Sequence, residues 1–379
     1  MRVLMALTYY YPHWTGLTAI TQKIAEGLAA RGHTVTVLTS QHNRELPRQE
    51  TYQGVRIVRL PTMLRLSRGQ VMPGFIGAAR ELVLDHDVVQ VHTPMLEAWL
   101  LGIIAHAEKR KMLMTHHGDL VMPAGAWNQF VQRTVGFMLD RGAAVADHIS
   151  THSQDYAEHS AFLKPHLHKL TAIYPAVAIP EPDGDAVAAW RADLGVGTRP
   201  IVGFAGRFVE EKGFDYLLQA IPLVARERPD VIFAYAGDHQ VVYESFFERW
   251  RHLVDGNAEH LRFLGLITDR QKLANFYAMC NVFALPSRTD CFAIVQTEAL
   301  YCGTPVVCTN IPGAREVVQV SGMGRLVAPH SPEALAEGLL EVINHPDRYP
   351  VDPVRARQVF SLEETISRYE ALLGDLVIS

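Results

Sequence analysis

Two carboxylates, Asp290 and Glu298, stand eight residues apart around the apolar run Cys291–Val295. A carboxylate beside such a run either faces water or grips a polar ligand. Asp290 follows the apolar stretch "NVFALPS", read as a strand. Glu298 falls in the helix expected over Ile294–Cys302. The start of that helix, at Cys291, Phe292, Ala293 and Ile294, offers backbone N–H groups to an anion. One segment therefore supplies hydroxyl acceptors and an anion cradle. A carboxylate that accepts two bonds from a vicinal diol gains about 1.5–3 kcal/mol for each.

A second constellation lies in "GRFVEEKG", Gly206–Gly213. It puts Arg207 and Lys212 just past the strand expected at Ile201–Ala205. Two cations there can neutralise a diphosphate, the guanidinium as a fork and the ammonium as a point charge. The plainer reading pairs Arg207 with Glu210 or Glu211 at the surface. No G-x-x-x-x-G-K-[ST] and no strand–GxGxxG–helix fingerprint is present, so P-loop and dinucleotide readings lose ground. In the first half, His116 and His117 end the strand "KMLMTHH"; as neighbours they face opposite ways, and His117 is the one expected in the site. His92 also stands at a strand end. Asp119 reads as a helix cap, and the other histidines read as surface residues.

These residues need elements to hold them. Short β-branched or apolar runs alternate with helical patterns along the whole chain, as in a doubly wound α/β sheet. The first half offers strands at "RVLMALT", "TVTVLTS", "VRIVRL", "DVVQVH", "KMLMTHH" and "ADHISTHS". The second offers "PIVGFAG", "VIFAYAG", "LRFLG", "NVFALPS", "PVVCT" and "GRLVA". Two such sets in 379 residues predict two Rossmann-like domains. The expected limits are 1–176 and 177–360, with a final helix, 361–379, returning to the first domain. Prolines and glycines cluster at the junction, Tyr174–Asp185. Ligands of such sheets bind beyond the carboxyl ends of the strands, where these motifs sit.

Composition narrows the class. Residues 1–180 hold 17 Lys and Arg against 13 Asp and Glu, while residues 181–379 hold 18 against 27. So uneven a split suits halves with different partners but is too weak for nucleic-acid binding. The basic stretch Arg56–Phe75, with Arg65 and Arg68, reads first as a solvated loop and short helix, and second as a membrane-surface contact. The four cysteines form no C-x-x-C pair, which argues against zinc and a disulfide framework and for a cytoplasmic setting. No run of about 18 apolar residues is present to span a bilayer. The N-terminal "RVLMALT" reads as a strand, not a signal peptide.

The chain resembles GT-B glycosyltransferases, in particular the family-4 retaining enzymes. The resemblance rests on G-R-x-x-x-x-K-G at Gly206–Gly213, on D-x7-E where the family has E-x7-E, and on "EALYCGTPVV", "IPGARE" and "ADHISTHS". It implies two domains facing across a cleft, acceptor on the first and nucleotide sugar on the second. Glu298 would hold the ribose hydroxyls, Asp290 would lie near the donor sugar, and Arg207 and Lys212 would bind the diphosphate. His117 would reach the donor sugar and catalytic centre. Gly16, in "YYYPHWTGL", would lie nearest the phosphates, and Gly237 and Leu266 would meet the base mainly through backbone. The expected reaction is retaining hexosyl transfer from a UDP- or GDP-sugar to a lipid or glycan acceptor, with no metal and no resident cofactor. The first domain would reach the inner face of the membrane. An epimerase of the same fold and a non-catalytic nucleotide-sugar binder are the alternatives. Three positions depart from the family: Asp290 for Glu, Leu17 for a second glycine, and Pro175-Ala176-Val177 for N-G-V.

Overall fold

A computed structural model describes residues 1–66, 69–119, 125–238 and 245–379; the side chains of 65, 66, 126–128 and 130 also fall outside the description. Arg68 therefore lies outside it, as does the side chain of Arg65. The chain divides into two compact units, Met1–Ala176 with Leu362–Ser379, and Val177–Ser361.

The first unit contains strands β1 (Arg2–Ala6), β2 (Thr34–Gln41), β3 (Gln49–Tyr52), β4 (Val55–Pro61), β5 (Leu64–Leu66), β6 (Gly69–Val71), β7 (Val88–Thr93), β8 (Lys111–His116), β9 (His148–Thr151) and β10 (Leu170–Ala172). Its main sheet has the order β10-β9-β8-β7-β1-β2-β4-β3, parallel except for β3 at the edge. The six strands expected from apolar runs are all present, and their central positions are buried, as a sheet covered on both faces requires. The stretch expected as a loop before a short helix instead pairs β5 with β6 as an antiparallel hairpin. The helix that follows begins at Phe75.

Strand β1 is central, and helix Gly16–Ala30 follows it. Thr15 caps that helix: its hydroxyl accepts from the Thr18 N–H, and its own N–H reaches Thr18 Oγ1 at 2.7 Å. The final helix, Leu362–Ile378, belongs to this unit. Arg31 holds it through Glu370, at 2.6 Å, and through Glu363. His33 Nε2 lies 2.6 Å from the same Glu370.

The second unit contains β11 (Ile201–Ala205), β12 (Ile232–Ala236), β13 (Leu261–Gly265), β14 (Val282–Leu285), β15 (Val306–Thr309) and β16 (Gly324–Val327). All are parallel, in the order β13-β12-β11-β14-β15-β16. The order reverses between β11 and β14, and loops leaving the two strands at such a point diverge and open a crevice. Val202, Phe204, Phe233, Tyr235, Val282 and Ala284 build the core beneath it with Phe214, Leu217 and Ile221 from helix Phe214–Glu227.

Candidate functional site

The switch point of the second sheet brings the expected cations and carboxylates together. After β11 the chain turns through Gly206 and a short 3-10 turn, Glu210–Lys212, into helix Phe214–Glu227. After β14 it runs through Ser287, Arg288 and Asp290 to helix Ile294–Tyr301. Lys212 Nζ lies 2.7 Å from Asp290 Oδ2, and the Ser287 hydroxyl lies 3.3 Å from the same oxygen. Arg207 pairs with Glu211 at 2.7 Å, as its plainer reading held.

Two further residues clamp these loops. Arg288 makes a two-pronged pair with Asp215, at 2.8 and 2.7 Å, and also donates to the Glu210 carbonyl at 2.6 Å. Its guanidinium stacks 4.2 Å from the Tyr216 ring centre. One arginine from the β14 loop thus fixes the segment that carries Lys212. Backbone joins them as well, because the Arg288 N–H donates to the Glu211 carbonyl at 2.8 Å.

Helix Ile294–Tyr301 begins at Ala293, whose φ of 50° is left-handed; no side chain caps the helix and no acidic residue stands in its first turn. A left-handed non-glycine residue costs about 1–2 kcal/mol and persists where surrounding structure holds it. Cys291 and Phe292 are buried, Phe292 edge-on to Phe360. They anchor the turn. Gly313 closes against this turn with a φ of +81°, and a Cβ there would stand 2.5 Å from the Asp290 and Cys291 carbonyl oxygens.

Glu298 is 3% exposed. Its carboxylate already accepts from Arg270 at 2.7 Å and from the Tyr277 hydroxyl at 2.8 Å. Burial first, and then Glu298, push the Tyr277 phenol well up, so it remains a donor. A carboxylate has about four lone-pair positions, so Glu298 keeps capacity for a diol. Gly237 follows β12; its N–H donates to the Gly265 carbonyl at 2.9 Å, and a Cβ would meet the Gly206 carbonyl oxygen at 1.8 Å. Leu266, just beyond, is 68% exposed.

In the first unit, Gly16 opens its helix, and a Cβ there would meet no atom within 4 Å. His117 follows β8 with its ring between two others: His92 Nδ1 and His152 Nε2 each stand 2.9 Å from one of its nitrogens. His116 points the other way, to Asp119 at 3.0 Å and Thr93 at 3.2 Å, as its neighbour's placement required. Asp119 caps no described helix. It accepts from Ser160 at 2.9 Å, and its N–H meets the Tyr156 hydroxyl at 2.8 Å. His152, read as a surface residue, is buried. The signal for it was its place directly after β9, matching that of His117 after β8. Arg270, Tyr277, Arg288 and Asp215 carried no local motif. Among the described residues, no cluster of three or more His, Cys, Asp or Glu side chains suits a metal ion. No described helix is long and apolar enough to cross a membrane.

Two family profiles match this chain: "Glycosyl transferase 4-like domain" over residues 15–176 and "Glycosyl transferases group 1" over residues 187–357. The chain belongs to the group 1 glycosyltransferases, with the GT-B fold. It is 29% identical to the GDP-mannose-dependent alpha-(1-6)-phosphatidylinositol monomannoside mannosyltransferase of Mycolicibacterium smegmatis, over 85% of this chain and 84% of that one. It is 26% identical to the phosphatidyl-myo-inositol mannosyltransferase of Mycobacterium leprae, over 98% and 93%. Among solved structures, HepE of Anabaena in complex with UDP superposes with a TM-score of 0.78 at 19% identity, over 99% of this chain and 100% of that one. Sucrose-phosphate synthase of Thermosynechococcus elongatus gives 0.70 at 20% identity, over 100% and 96%.

Proposed function

We propose that the protein transfers a mannosyl group from GDP-mannose, with retention, to a polyol headgroup borne by a lipid of the phosphatidylinositol type. The observation that carries the reading is the Lys212–Asp290 pair at the switch point, beside an uncapped helix start. A diphosphate brings its charge to Lys212, Arg207 and the first N–H groups of helix Ile294–Tyr301. Released from their pairing with Asp290 and Glu211, the two cations stabilise it as it leaves. Asp290 then accepts from donor-sugar hydroxyls, and Glu298 from ribose hydroxyls, each already oriented by a neighbouring donor. With that much charge stabilisation, the departing phosphate assists attack from its own face, and no carboxylate nucleophile is required. The named activities of the mycobacterial relatives supply the donor and the acceptor class. Exposed Met63, Leu64 and Ile76 support a peripheral membrane contact by the first unit.

The test is a thermal-shift series with GDP, UDP, ADP and their hexose conjugates, followed by a product assay on phosphatidylinositol vesicles. A ligand that binds only the folded state adds about 2.7 kcal/mol at 100 times its Kd. A shift confined to GDP and GDP-mannose, with an α-mannosyl lipid as product, is the expected result. A shift confined to UDP ligands would overturn the donor assignment, and an inverted product the stereochemical one.

A further inference from the structure

Three imidazoles stand in series at the carboxyl ends of β7, β8 and β9. His92 Nδ1 is 2.9 Å from His117 Nε2, and His117 Nδ1 is 2.9 Å from His152 Nε2. Both ends are anchored: Thr21 Oγ1 lies 3.1 Å from His92 Nδ1, and the Ile173 carbonyl lies 3.4 Å from His152 Nδ1.

The protons of this series have one self-consistent order. A carbonyl only accepts, so His152 donates from Nδ1 to Ile173 and accepts at Nε2. His117 therefore donates from Nδ1 and accepts at Nε2, and His92 donates from Nδ1. The Thr21 hydroxyl already donates to the Leu17 carbonyl at 3.0 Å, so it accepts from the same His92 N–H. The reversed order would set a lone pair of His152 against the Ile173 carbonyl and bury a bare N–H at His92 Nε2. That nitrogen is buried without a partner, and an orphaned acceptor is less costly there than an orphaned donor. Desolvation, and then neighbouring imidazoles, keep the rings neutral: His92 is lowered to about 3 and His117 lies well below the ordinary histidine value. Burial likewise lowers His152 to about 4.

The geometry points to His92 and His152 as positioning residues that lock His117 in one ring orientation, as the neutral Nδ1–H tautomer. This rests on the reading of His117 as a site residue. A general acid or base needs a ring nitrogen within reach of the proton it moves. Both nitrogens of His117 are committed, so the ring moves no proton.

The experiment uses the full-length, 15N-histidine-labelled protein. Long-range 1H–15N correlation reads the His117 tautomer without substrate or turnover. Wild type is expected to show His117 protonated at Nδ1 alone. His92→Leu and His152→Leu release the ring to a tautomer mixture. His92→Asn keeps a donor near the old Nδ1, and His152→Gln keeps an acceptor near the old Nε2; both preserve the wild-type signature. With GDP-mannose, the leucine variants lower kcat about tenfold or more with KM within about twofold, and the amide variants recover most of it. A His117 signal protonated at Nε2 in wild type overturns the assignment, as do amide variants no better than leucine. Absence of transfer from any donor defeats the proposed function instead, while the tautomer spectrum still decides this inference.

Discussion

Lys212 Nζ sits 2.7 Å from Asp290 Oδ2, so the cation expected at the diphosphate is already paired with the carboxylate expected at the sugar. The side chains are 24% and 11% exposed, and Ser287 shares the carboxylate. A donor bound at this pair would therefore redistribute an existing interaction and would not recruit a free lysine from solvent.

Removing either partner should have distinct effects. Lys212→Ala leaves no point charge at the leaving group, and kcat should fall by about 10² or more. Initial rates and a melting curve on the same preparation check this. A folded variant with unchanged kcat would remove Lys212 from the mechanism. Asp290→Asn keeps an acceptor but frees the ammonium, so its larger effect should be a raised donor KM.

Glycine substitutions separate close packing from ligand approach. A methyl at Gly313 meets two carbonyls at 2.5 Å, and one at Gly237 meets the Gly206 carbonyl at 1.8 Å, both at positive φ. Each Ala variant should destabilise the second unit by about 1–3 kcal/mol and weaken GDP binding. Gly16→Ala meets nothing within 4 Å. It should leave the melting point unmoved and raise donor KM if a phosphate approaches that helix start. Calorimetry beside initial rates against donor concentration reads both, and an unmoved KM for Gly16→Ala would take Gly16 out of the donor site.

All six strands of the second sheet were legible because each is a short run rich in β-branched or apolar residues between helical patterns, fully buried in β11, β12, β14 and β15 and half-buried in the edge strands β13 and β16. Strands β3 and β10 were not. Gln49–Tyr52 and Leu170–Ala172 lie at the sheet's edges, where backbone pairing and not side-chain burial defines a strand. The hairpin β5–β6 is only three residues a side. In the site, motif residues were legible because they are local in sequence. Their supports were not: Arg288 meets Asp215 across 73 positions, and Tyr277 meets Glu298 across 21. Periodicity shows that a face is buried but not which charge will be found on it.

The Arg288–Asp215 pair should be a large stability determinant of the second unit. Asp215 is 2% exposed, so Arg288→Ala strands a buried carboxylate. The cost should be about 3–5 kcal/mol, against far less for the double variant Arg288→Met with Asp215→Leu. Urea unfolding followed by a probe in the second unit distinguishes them. Equal losses in the single and double variants would mean that the pair adds only packing.

Acidity should act mainly through the first unit. Burial lowers His92 to about 3 and His152 to about 4, while an unfolded chain protonates both near the ordinary 6.5. Between those values the unfolded state binds more protons, so stability falls as pH falls. The stabilisation is complete above about pH 6.5 and is lost progressively below it, at up to about 1.4 kcal/mol per pH unit for each ring. The His152 contribution levels off near pH 4 and that of His92 near pH 3. His42, His86, His148 and His166 are also lowered by burial and add to the slope. Asp87, Asp119 and Asp147 lie below their ordinary 3.8, so they lose stabilisation mostly below the window of pH 5–6.5. The informative quantity is therefore a difference. The double variant His92→Asn, His152→Gln should show a shallower dependence of urea midpoint on pH over 5–6.5 than wild type. Superimposable slopes would mean that the two rings already carry charge in the folded protein, and the neutral series of three histidines would have to be abandoned.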